Sequence, residues 1–214
     1  MTNNSKTGVI WVALVFYIGF LFLWTLSHEL SAMRAIRFPL YFDWETDIQF
    51  RGWALPLYFS LDIAVILIPF MFKSWRDAIA PVGTLLAQTA VAAIFFVLVP
   101  IEPGYETTGV WGPYFYEYFG LENLSRWNHV PSLHVAYTFT IAWVIGKRYG
   151  KGTMIISLLW ATSVSISTML VHEHHLICVL SGFALFVFTA VTVYPALLRK
   201  YNDPNPSNMS NCTT

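Results

Sequence analysis

Six apolar runs, each bounded by charged or histidine residues, divide this chain: residues 7–27, 52–72, 78–101, 130–146, 152–171 and 176–198. A bilayer's hydrocarbon core, about 30 Å thick, is crossed by roughly 20 helical residues at about 1.5 Å each. The expected fold is therefore all-α, an integral membrane bundle of six transmembrane helices, with residues 1–201 as a single domain. The Asn/Ser/Pro-rich residues 202–214 are expected to be a disordered tail. Charged residues make up 11% of the chain, against about 25% in soluble domains. Aromatic residues make up 17%, with nine Trp, which suits two membrane–water interfaces. Twelve Lys and Arg balance twelve Asp and Glu, so net charge gives no basis for a nucleic-acid partner. Two cysteines make no disulfide framework. The first run is longer than the roughly 7–15 apolar residues of a signal peptide and lacks a following A-x-A site, so it is expected to stay as a helix.

Orientation follows from basic residues in the loops. Lys6, Lys73, Arg76, Lys147, Arg148, Lys151, Arg199 and Lys200 share one face, and Arg34, Arg37, Arg51 and Arg126 the other. Eight against four predicts both termini in the cytoplasm. Loops 28–51 and 102–129 and the turn 172–175 then face the extracytoplasmic side. Residues 28–51 read as a solvated re-entry loop with an interfacial helix over 31–37. Asp62, inside the second run, reads as a polar group pairing helices.

Five of the six histidines fall between 129 and 175, all on that outer side. His134 opens the fourth run in Asn128-His129-Val130-Pro131-Ser132-Leu133-His134. His172, His174 and His175 mark the turn into the sixth. Two helices thus present histidine at one membrane depth, where ionisable groups are costly and mark function. Such a pair suits phosphoryl transfer, one imidazole attacking phosphorus and the other protonating the leaving oxygen. A helix start at Pro131-Ser132 offers N–H groups to an anion. His129 reads as a loop residue, and His172 and His175 as structural.

These residues resemble the type-2 phosphatidic acid phosphatase superfamily. Pro131-Ser132-Leu133-His134 is similar to its P-S-x-H motif, and Ser167 with His174 to the Ser and His of S-R-x5-H-x3-D. Thr168 after the Ser, Asn128 ahead of P-S-x-H, and Asp47-Ile48-Gln49-Phe50 resemble the branch related to inositol phosphorylceramide synthase. The resemblance implies a lipid phosphatase or head-group phosphotransferase, with a phospholipid or lipid-phosphate substrate and no metal or cofactor. The acceptor would be water, a polyol or a lipid alcohol. It implies His174 as nucleophile and His134 as general acid. Ser132, Ser167 and Thr168 would contact substrate, with Asn128 beside them, and Arg126 would stand in for missing phosphate-binding cations. The family's K-x6-R-P motif is absent after the third run, and Cys178 stands where the family has the Asp that orients the histidine. Position 178 is expected one helical turn from His174, on the same face. Two other readings fit the same residues. One is a catalytically impaired membrane scaffold, because of Cys178. The other is a metal or haem site built on His134 and the 172–175 histidines, since imidazole suits such metals.

Overall fold

The structure is a computed structural model that describes residues 3–102, 104–105 and 128–202. The described elements are helical: α1 (Asn3–Ala32), α2 (Asp43–Thr46), α3 (Leu55–Leu67), α4 (Trp75–Leu98), α5 (Leu133–Tyr149), α6 (Lys151–Leu170), α7 (Leu176–Val191) and α8 (Val193–Asn202). Short 3-10 turns at Gly52–Ala54 and Ile68–Met71 flank α3. One isolated β-bridge pairs Phe38 with Ile101. Five stretches are long and apolar enough to cross a membrane: Lys6–Ala32, Gly52–Met71, Trp75–Leu98, Lys151–Leu170 and Leu176–Tyr201. The chain is a multi-pass, all-α membrane protein. The tail beyond residue 202 lies outside the described residues.

Helix ends depart from the expected runs for identifiable reasons. α1 continues past His28 and Glu29 to Ala32, and no separate helix forms over 31–37. Instead the Arg37 guanidinium donates to the carbonyls of Ser31 (2.8 Å) and Ala32 (3.2 Å), closing the C-terminus of α1. The second run tightens into a 3-10 turn at Pro69, which has no N–H for an α-helical bond. The third starts earlier than expected, because Ser74 caps it by accepting from the Asp77 N–H. The sixth splits at Thr192, three residues before Pro195, whose missing N–H leaves the Val191 carbonyl without its α-helical donor. Gly150, at φ +100°, is the single residue joining α5 to α6, a conformation that suits glycine alone.

α5 is the central helix. It packs along α6 and α7 and also touches α3 and α4, while α1 and α8 lie against α4. Large apolar side chains exposed on α1, α3, α4, α6 and α7 make an outward apolar girdle, to which α5 contributes only Tyr149 at its end. Polar ties cross the interior: Gln88 Nε2 on α4 donates to Thr140 Oγ1 on α5 and Thr189 Oγ1 on α7, both at 2.7 Å. The hydroxyls of Thr89 and Tyr137 also meet. Such hydrogen bonds hold apolar helices together where lipid offers no hydrophobic drive.

Gly182 on α7 lets the start of α5 come close. A Cβ there would lie 2.4 Å from the Ser132 carbonyl oxygen, which is backbone and cannot swing away. Gly182→Ala should cost about 1–3 kcal/mol through this overpacking. Gly152→Ala, with open space around it, should not destabilise. Thermal melts of the two variants in detergent check the contrast.

Candidate functional site

The turn between α6 and α7 is built by the backbone and clamped from outside. The N–H groups of Glu173 and His174 both reach the Thr168 carbonyl, at 2.9 and 3.1 Å, reversing the chain as α6 ends. His172 takes the left-handed position, φ +61°, which costs a non-glycine residue about 1–3 kcal/mol. Its Nε2–H donates to the Ile48 carbonyl at 2.7 Å, and its ring stacks on Tyr105 at 4.2 Å. Tyr105 also stacks on His175 at 4.3 Å.

Glu45 is the anchor of this arrangement. It is wholly buried, and its carboxylate accepts from the Phe42 N–H (3.0 Å), the Leu176 N–H (2.8 Å) and His175 Nδ1 (3.0 Å). The Gly104 N–H donates to His175 Nε2 at 3.1 Å, which leaves the ring proton on Nδ1, facing Glu45. Residues 28–51 are therefore more than a solvated loop: they supply a buried acceptor for the first free N–H of α7.

Inside the clamp, three histidines converge. His174, 4% exposed, has its ring centroid 5.7 Å from His129 and 5.6 Å from His134. His134 stacks on Tyr58 at 4.3 Å. His129 Nδ1–H donates to the Glu173 carbonyl at 2.8 Å. His174 Nδ1 is buried without a hydrogen-bond partner among the described residues, a rare condition in a folded protein. Burial first, and then the neighbouring His134, His129 and His175, hold the His174 ring well below the usual imidazole range; a contact with the His129 backbone only partly opposes them. The ring is neutral at neutral pH, with a lone pair available.

The remaining expected site residues are more occupied. Ser132 is the N-cap of α5, its hydroxyl oxygen accepting from the Val135 N–H at 3.4 Å and its own N–H donating to the Cys178 carbonyl at 3.1 Å. The hydroxyls of Ser167 and Thr168 donate back to α6 carbonyls, at 2.7 and 2.8 Å. Asn128 Nδ2 donates to the Trp24 carbonyl (3.1 Å) and Ser27 Oγ (3.4 Å), tying this segment to α1. Cys178 packs with Ile101 and Val130. α7 begins only at Leu176, so the one-turn relation expected between positions 174 and 178 does not hold as a helical one. Arg126 lies outside the described residues.

Behind His134 a cleft of about 560 Å3 opens between α1 and α3, and Glu173 and Asp62 line it. Asp62 has no hydrogen-bond partner among the described residues, contrary to its reading as a helix-pairing group. Burial pushes the Glu173 carboxyl up to about 7 from its ordinary 4.5. A carboxyl raised in this way binds its proton more tightly in the folded state, so stability falls as pH rises from 4.5 towards 7. Glu173→Gln should therefore melt like the parent near about pH 5 and above it at about pH 8, as read by melting at both pH values.

Sequence reasoning missed Glu45, His129 and Glu173, and it had no signal for contacts between distant loops. Among the described residues no three His, Cys, Asp or Glu side chains are grouped to hold a metal ion. No family model matches the chain, and neither a curated protein nor a solved structure shows significant similarity to it.

Proposed function

We propose that this protein is a membrane lipid phosphatase or head-group phosphotransferase of the type-2 phosphatidic acid phosphatase kind. His174 is its nucleophile and His134 its general acid. The observation that carries the reading is the buried, neutral His174 ring, with one nitrogen unpartnered among the described residues, lying between His129 and His134, of which His134 lines an apolar cleft. A His174 nitrogen attacks phosphorus, and the bond from phosphorus to the lipid oxygen breaks. His134 gives its proton to that oxygen. Water, a polyol or a lipid alcohol then attacks the phosphohistidine, gives its proton back to His134 as the new P–O bond forms, and releases His174 as the P–N bond breaks. The P-S-x-H resemblance and the shared depth of the two histidines support this assignment.

The same proposal gives the chain six spans, with both termini cytoplasmic and the histidines on the extracytoplasmic face. The eight-to-four division of basic residues supports that orientation. α5, with 17 residues, stands at the short end of the roughly 17–25 that can span, and its enclosure by other helices suits an innermost span.

A second reading, an impaired relative acting as a scaffold, is favoured by one observation: no described carboxylate accepts from His174 Nδ1, and Cys178 is packed among apolar side chains. Incubation of the purified protein with a panel of lipid phosphates and phospholipids, in detergent with EDTA, separates the two. Turnover is expected. Its absence across the panel, with the fold intact, selects the scaffold.

A further inference from the structure

The cleft behind His134 is open to one side. α1 packs along α4 and α3 along α6, so a gap is left between α1 and α3. At the end away from the histidines it is bridged by Tyr17 Oη, which donates to the Ile66 carbonyl at 2.7 Å. Phe16, Phe20 and Leu21 line one wall and Leu61, Val65 and Ile66 the other, while Tyr58, His134 and Glu173 close the histidine end. The polar groups are gathered at one end and the apolar ones fill the rest.

We infer that this cleft takes one hydrocarbon chain of a membrane lipid whose phosphate-bearing head lies at His134 and His174. The inference rests on the lipid-phosphate reading and names where the chain goes. Three observations carry it. First, both walls belong to stretches long and apolar enough to cross a membrane, so the gap faces lipid, not water. Second, from Tyr58 to Ile66 the wall is eight residues, about 12 Å of helix, against about 15 Å for one leaflet of a 30 Å core. A chain seated there reaches about as deep as its neighbours in the same leaflet. Third, Asp62 follows Tyr58 by one turn, about 6 Å inward of the histidine layer. It lines the cleft with a carboxyl that has no hydrogen-bond partner among the described residues, at the depth where a lipid's polar linkage joins head to chain. An ionisable side chain at such depth is costly unless it faces a cavity or a polar partner, and in its protonated form the carboxyl can donate to an ester carbonyl of that linkage.

The test uses the full chain in phosphatidylcholine nanodiscs containing phosphatidic acid with a photoreactive diazirine at mid-chain. After illumination, adducts are mapped by peptide mass spectrometry. Adducts concentrated on the cleft walls are expected, and they should be lost in Val65→Trp, which fills the cleft. Leu21→Trp fills it from the opposite wall and serves if the first variant fails to fold. Adducts spread as densely over Ile155, Ile156 and Leu159, exposed on α6, would overturn the inference, as would full labelling of a folded filled variant. Turnover is read separately. Cleft adducts on a protein without turnover support the chain site while removing the phosphoryl-transfer reading. Turnover without cleft adducts does the reverse.

Discussion

Glu45→Ala is expected to destabilise the protein by about 3 kcal/mol or more, because three buried donors lose their shared acceptor. The Ala side chain leaves three donors without an acceptor: the Phe42 and Leu176 N–H groups and His175 Nδ1–H. Each such orphan costs about 1–3 kcal/mol when it stays buried. The loss falls on the segment that carries His174, so turnover should fall along with the melting temperature. Glu45→Gln keeps one amide oxygen as an acceptor but turns an NH2 towards a donor, and should lie between the two. Circular-dichroism melts in detergent read the effect. A Glu45→Ala protein that melts with its parent would mean that the clamp does not hold the turn.

His174→Ala should lower turnover on the order of 10⁴-fold or more, as removal of an enzyme nucleophile does. His134→Ala should cost about 10²–10⁴-fold, the usual contribution of a positioned general acid. His134→Ala should recover in part with substrates whose leaving group needs no proton, such as aryl phosphates, and His174→Ala should not. Steady-state rates on both substrate types give that split. Equal rescue of the two variants would contradict the division of roles between them.

The helical, membrane-crossing character of the chain was legible because it rests on long apolar runs between charges, a local property. Where those runs break was partly legible too. Pro69 and Pro195 each withhold an N–H, yet reading runs only by hydropathy passed over both. The nearness of two candidate site histidines was legible as well. His134 and His174 were expected at one membrane level, and what the structure shows is that their rings lie 5.6 Å apart. What could not be read was the third dimension of the loops. Glu45 is 130 residues from His175, and nothing in a run of Asp43, Glu45 and Asp47 tells which carboxylate turns inward. His129 looked like any loop histidine until α6 ended in a turn that exposes the Glu173 carbonyl to it. The helical relation drawn between positions 174 and 178 failed for a physical reason: α7 starts only after the chain has spent His172 to His175 reversing direction.

The central claim, a covalent step at His174, is tested most directly by trapping. The protein is mixed with a phosphate-labelled lipid substrate in the presence of EDTA and quenched in alkali, where a phosphohistidine survives and acid would destroy it. Peptide mapping follows. The account predicts label on the peptide carrying residues 172–175, localised to His174, accumulating in His134→Ala to the extent that leaving-group departure still occurs, and absent from His174→Ala. Label at another residue, or turnover by the intact protein with no trapped phosphoprotein and full activity in His174→Ala, would contradict it.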